Sequence, residues 1–238
     1  MRQVVLDTET TGLSPNKGDR IVEVGCVELI DRKLTGRHFH YYINPERDIP
    51  DEVVAIHGID NEKVKDAPKF RDIAVELWAW LEGAELVIHN AAFDMGFLNR
   101  EYEIFAQENS ESFVKLETVC TVLDTLKVAR EKHPGSKVSL DALCKRYGID
   151  NSHRTFHGAL LDSEILADVY LMLTGGQTAL LLDDDSESDD TKQTVDLSLL
   201  GNVQGELISI SPTSEEVESH NQFIELLAKK SGKEIIWP

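Results

Sequence analysis

The sequence predicts an α/β fold: a mixed five-stranded sheet flanked by helices, followed by a flexible acidic linker and a C-terminal helix. Three observations predict it. Strand-like apolar runs crowd the first 43 residues, and farther on strands alternate with segments of helical period. After Gly176 the globular pattern gives way to a charge run. A meander followed by strand–helix alternation implies a mixed sheet with helices on its faces.

The elements follow in order. Gln3–Asp7 is a short apolar strand, and 21–30 and 34–43 are longer strands with partial alternation. Asn16–Asp19 supplies turn residues between the first two, and Asp31–Lys33 joins the next pair as a hairpin. A loop containing Pro45 and Pro50 leads to a helix over Phe70–Leu81. GAELVIHN, 83–90, reads as a strand, 91–107 as a helix, and VKLETVC, 114–120, as the last strand. Helices are then expected over Val122–Glu131, Leu140–Tyr147 and Gly158–Leu173, with Gly175-Gly176 ending the last.

Beyond Gly176 lies an apolar patch at 177–182, then DDDSESDDTK, whose charge prevents it from burying enough surface to fold. The stretch 183–212 reads as a linker. SEEVESHNQFIELLAKKSG restores a helix, with Ser214 as N-cap and Lys229, Lys230 and Gly232 at its end. Val217, Phe223, Ile224 and Leu227 give it an apolar stripe. The expected organisation is a globular domain over 1–176, the apolar patch over 177–182, the linker over 183–212, and a helical segment over 213–238.

Charge and cysteines exclude several classes. A formal charge of −19 argues against tight, sequence-independent binding of long nucleic acid, which needs a basic face. It does not exclude an enzyme that holds a strand end through metal ions. Of 43 acidic residues, 13 lie beyond Gly176, against 4 of the 24 basic ones, so the catalytic part is only mildly acidic. Cys26, Cys120 and Cys144 form no CxxC pair and read as buried thiols of a reducing compartment. With a strand starting almost at Met1 and no apolar run near ~18 residues, a cytoplasmic location is expected.

The chemistry lies in Asp7 and Glu9 of LDTETTG, Asp94 of HNAAFDMGFL, and His157 with Asp162 of FHGALLDSE. Asp7 and Glu9 alternate with Thr8 on a strand and so face the same side, where a cation relieves their repulsion. Asp94 falls at a strand-to-helix junction. His157 precedes Gly158 and reads as a loop residue, with Asp162 pointing inward from the second helical turn. Taken singly, each has a blander reading as a turn, a cap or a satisfied histidine. Together, hard oxygen ligands plus one imidazole suit Mg²⁺ or Mn²⁺ and phosphoryl chemistry.

DTETTG, HNAAFD and HGALLD, in this order and context, resemble the three exonuclease motifs of the DEDD superfamily, in its histidine-type subclass. The likeness covers roughly residues 1–174 and implies a ribonuclease H-like fold. IHGI, Ile56–Ile59, resembles a substrate-loop motif of bacterial members, and the overall resemblance is to the proofreading subunits of bacterial replicative polymerases. It implies a 3′-to-5′ exonuclease with two divalent ions. Asp7, Glu9 and Asp162 would ligate one, and Asp7 with Asp94 the other. His157 would be the general base. Asp7, Glu9 and Asp162, with Thr10, Glu52, His57 and Asn90, would contact the terminal nucleotide, and Phe93 is a candidate to stack on its base. Gln177, Leu180 and Leu181 resemble a sliding-clamp peptide, and the terminal helix resembles a polymerase-binding segment. A small stabilising subunit is a further partner to consider. Two other readings are an RNA-trimming exonuclease of the same superfamily and a non-catalytic polymerase–clamp adaptor.

Overall fold

A computed structural model describes residues 1–152, 154, 156–175 and 213–231, with the backbone alone at 226–228 and 231. The chain divides into two units, Met1–Asp183 and Asp184–Pro238. In the first, β1 (Arg2–Thr10), β2 (Ile21–Ile30) and β3 (Lys33–Tyr42) form the meander. Two short helices follow, α1 (Asp51–His57) and α2 (Asn61–Val64), then α3 (Phe70–Leu81), β4 (Glu85–Ile88) and α4 (Ala91–Glu108). The unit closes with β5 (Thr121–Asp124), α5 (Thr125–Lys132), α6 (Leu140–Tyr147) and α7 (Ala159–Thr174).

The five strands stand in the order β3-β2-β1-β4-β5. β1 is central, antiparallel to β2 and parallel to β4. The β2–β3 turn places Asp31 and Arg32 at φ 49° and 65°, the left-handed pair that matches strand twist in a two-residue hairpin.

Strand parity sorts the core. Val4 and Leu6 pack with Ile73 and Leu77 of α3 and Phe97 and Leu98 of α4. Val5 faces the other way, with Leu166 and Tyr170 of α7. Each such fully buried side chain contributes about 1.5–3 kcal/mol. The same alternation carries Asp7 and Glu9 onto the α7 face and Thr8 onto the α4 face.

Several expectations need correction. Residues 114–120 are not a strand: Leu116–Thr118 forms a 3₁₀ turn, and the last strand is Thr121–Asp124. Buried Leu116 and Cys120 with exposed neighbours between them imitate a strand, but β4 pairs from Glu85↔Thr121 onward. Asp124 then accepts from the Leu126 N–H at 3.0 Å and caps α5, so that helix starts at Thr125 rather than Val122. The loop after Pro50 contains α1, which carries Glu52 and His57. Acids in its first turn and Gly58 at φ 68° bound it, although seven residues are too few to announce a helix.

In the second unit α8 spans Ser214–Ser231. Its N-cap is Thr213, not Ser214: Thr213 Oγ1 accepts from the Glu216 N–H at 3.3 Å, and Glu216 Oε2 accepts from the Thr213 N–H at 2.7 Å. Val217 and Phe223 of the expected stripe are exposed. Gln177, Leu180, Leu181 and the linker 183–212 lie outside the described residues.

Candidate active site

The site forms where the C-terminal end of β1 meets the start of α4 and the start of α7. β1 delivers Asp7, opposite Gly25 of β2, and Glu9, opposite Glu23. Asn90 at φ 71° turns the chain from β4 into α4 and sets Asp94 in the first turn of that helix. Thr8 Oγ1 donates to Asp94 Oδ1 at 2.7 Å, which ties α4 to β1. Phe93 is half-buried. It packs on the main core with its ring 4.9 Å from Phe97.

α7 approaches β2 closely because residue 25 lacks a side chain. A Cβ on Gly25 would stand 2.3 Å from the backbone of Ala159 and Leu160. Ser163 Oγ donates to the Gly25 carbonyl at 2.9 Å, and the Ala159 N–H donates to Glu23 Oε2 at 3.0 Å. Glu23 thereby caps α7 from a neighbouring strand, and its other oxygen meets His40 Nε2 at 2.7 Å. Docked this way, α7 buries Asp162, which lies in its first turn rather than its second. The loop before it is held by the His157 N–H donating to the Ile56 carbonyl at 3.1 Å, and by Phe156 against Gly58.

Three motifs far apart in sequence therefore meet. Ligand atoms of Glu9, His157 and Asp162 all lie within 4.8 Å of one another. Burial, then the charges of Asp94, Glu9 and Asp162, holds the Asp7 carboxyl well above the usual carboxylate range. Glu9 is pushed up to about 8 by burial and by Asp162, Glu23 and Asp94. Asp94 is raised to about 7 by burial, against the relief that the Thr8 hydrogen bond gives. Such a cluster is destabilised by its own charge and would be relieved by divalent cations, and its oxygen-rich donor set suits hard ones.

One cation already faces it. Arg154 lies three residues before His157, with a side chain only 8% exposed. Its Nε and Nη2 donate to both Asp162 oxygens at 2.5 and 2.6 Å, Nη1 reaches Asp141 at 2.9 Å, and Nη2 lies 3.0 Å from His157 Nδ1. Sequence reasoning missed Arg154, Glu23 and Gly25. The signals were an arginine beside the third motif and an acid inside the apolar run of β2, since buried acids require partners.

Of the nucleotide-contact candidates, Glu52 lines a cleft between the end of β1 and α1. A cavity of about 440 Å³ is lined by Thr11, Gly12, Leu13, Glu52, Val53 and Ile56, among others, and Leu13 and Ile56 are exposed. His57 is buried. Its Nδ1 accepts from the Ile59 N–H at 3.0 Å, and Nε2 lacks a hydrogen-bond partner among the described residues. Burial lowers the His57 pKa. Asn90 is exposed at the helix start, whereas Thr10 Oγ1 is already engaged, donating to the Gly12 carbonyl at 2.6 Å.

The raised carboxylates predict how metal-free stability depends on pH. Unfolded, these acids ionise near 4; folded, Glu9 and Asp94 keep protons to about 8 and about 7. The folded chain binds more protons, so its stability is lost as pH rises through the folded values. Buried His57 and half-buried His89 oppose this only below their ordinary value of 6.5. In chelator, stability should fall by about 3 kcal/mol between pH 6.5 and 9, at ~1.4 kcal/mol per proton per pH unit. Saturating Mg²⁺ should flatten the fall. Thermal melts across this range check it, and a melting temperature that climbs in chelator contradicts the assignment.

Comparison with known proteins agrees with this architecture. The exonuclease family RNase_T matches residues 4–170. DNA polymerase III subunit epsilon of Haemophilus influenzae is 44% identical over 99% of this chain and 94% of its own length. That of Escherichia coli K12 is 43% identical over 97% of this chain and 95% of its own. Among solved structures, exonuclease X in complex with 5′-overhanging duplex DNA is 28% identical, with a TM-score of 0.56 over 73% of this chain and 91% of that one. Carrying the exonuclease domain at this identity over nearly its whole length, the chain belongs to the DNA polymerase III epsilon-subunit family.

Proposed function

We propose that the chain is the 3′-to-5′ proofreading exonuclease of a bacterial replicative polymerase, releasing nucleoside 5′-monophosphates from mispaired 3′ ends of DNA. The observation that carries this is the gathering of Glu9, His157 and Asp162 within 4.8 Å, with Asp7 and Asp94 near enough to raise or share its charge. Asp7, Glu9 and Asp162 would hold one divalent ion and Asp7 with Asp94 a second, Mg²⁺ or Mn²⁺. When bound, such ions activate water and stabilise the leaving 3′ oxygen. His157 stands at the rim, its side chain 50% exposed and one ring nitrogen 3.8 Å from Asp162, and takes the proton from the attacking water. Glu52, His57 and Asn90 orient the terminal nucleotide in the adjacent cleft, and the exposed faces of Leu13 and Ile56 meet its base.

No base is read directly. The cleft takes a frayed strand, and fraying costs less where the terminal pair is already broken. The test is digestion of 3′-labelled primers with paired, mispaired and RNA ends. Mispaired DNA should be cut fastest, and preference for RNA would favour the trimming reading. His157→Ala should lose about 10²–10⁴-fold in rate with metal affinity largely retained. A variant matching wild type would remove His157 from the mechanism.

Attachment to the replisome is assigned to the C-terminal segment. The exposed Val217 and Phe223 of α8 make it the docking element for the polymerase, and Gln177, Leu180 and Leu181 the contact with the sliding clamp. A small stabilising subunit would sit on the catalytic domain 1–176. Tethering through residues 183–212 raises the effective concentration of the exonuclease at the primer end. No helix among the described residues is long and apolar enough to cross a membrane.

A further inference from the structure

Both oxygens of Asp162 are engaged by the fork of Arg154, and the same guanidinium reaches Nδ1 of His157. This is a desolvated contact, since the Arg154 and Asp162 side chains are 8% and 5% exposed. A carboxylate held in a bidentate pair has one lone pair engaged on each oxygen, and the guanidinium charge beside it opposes the approach of a hard cation to the lone pairs that remain. An imidazole nitrogen that accepts from a guanidinium has no free lone pair for a proton. A single side chain thus covers the third-motif acid and one nitrogen of the adjacent histidine.

We infer that Arg154 is an internal counter-cation that closes the metal-free site, and that divalent-ion loading displaces it from Asp162 and His157. This rests on the metal-dependent reading above. Arg154 lies between α6 and α7, and among the described residues of that connection the His157 N–H to Ile56 carbonyl bond is the backbone tie to the cleft wall. Asp141, at the edge of α6, offers the displaced guanidinium a second anchor, already in contact at 2.9 Å. The residue acts on metal entry rather than on the reacting atoms, so it is a positioning residue.

The experiment is calorimetric titration of Mn²⁺ into the full-length chain, with melting curves in chelator. Arg154→Gln removes both charge and fork. Arg154→Lys keeps the charge but cannot bridge both Asp162 oxygens. Arg154→Gln should bind Mn²⁺ about tenfold more tightly and Arg154→Lys should fall between it and wild type. Both should melt lower than wild type without metal, with the gap closing at saturating Mn²⁺. Arg154→Lys indistinguishable from wild type would mean that charge alone acts, and equal or weaker binding by Arg154→Gln would mean that the fork does not block the ion; either overturns the inference. Should Arg154→Gln fail to fold, Arg154→Lys and the wild-type His157 ring ¹⁵N signals decide, because Nδ1 must shift when Mg²⁺ is added. Absence of Mn²⁺ binding in wild type and variants alike would instead defeat the metal reading itself.

Discussion

Asp7→Ala is expected to reduce exonuclease activity by about 10³-fold or more, while leaving the fold intact. Asp7 is the carboxylate assigned to both ions, so its loss removes several kcal/mol of transition-state stabilisation, and each ~1.4 kcal/mol is tenfold in rate. Stability should move the other way. Asp7 sits against Asp94, Glu9 and Asp162, and all three oppose its ionisation. Removing a half-buried, repelling acid relieves that strain, so the variant should melt at or above wild type in chelator at pH 8. Primer digestion and melting of the same preparation give both readings. More than a tenth of wild-type activity in well-folded protein would end the two-ion assignment.

Gly25→Ala should be the most damaging single methyl group in the catalytic unit. Its Cβ would lie 2.3 Å from the Ala159 carbonyl carbon and the Leu160 nitrogen, and 2.5 Å from the Ala159 oxygen. These are backbone atoms at the start of α7, so no rotamer change relieves the clash and the helix must move. Displacement breaks the Ser163 bond to Gly25 and the Glu23 cap on Ala159, and shifts Asp162 and His157 with the helix. We expect a loss of about 3 kcal/mol in stability and a rate loss of about 10²-fold from misplacement of order 1 Å. Ser163→Ala, which removes one hydrogen bond and no space, should cost only about 1 kcal/mol. Wild-type melting and activity in Gly25→Ala would show that α7 does not dock as described.

The two expectations rest on different kinds of information. Asp7 was legible in the chain because DTETTG carries its acids at strand spacing, and the apolar run before it announces the strand. The boundaries of β2, α3 and α6 were legible for the same reason: alternation or helical period, bounded by a turn, a cap or a glycine, is a local property. α1 and β5 were not. One is too short to nucleate alone, and the other is defined by its pairing with β4 rather than by its own pattern. Gly25 looks like any strand glycine until α7 is laid across it.

The sequence by itself determined the first four strands and the placing of the acidic motifs at element ends, because periodicity, charge and motif spacing are written in neighbouring residues. Only the tertiary structure decided which groups meet. Glu23 caps a helix more than 130 residues away, and Arg154 pairs with Asp162 rather than with solvent. These contacts follow from burial, which makes an unpartnered acid or guanidinium costly and so selects its partner from whatever the fold brings within reach.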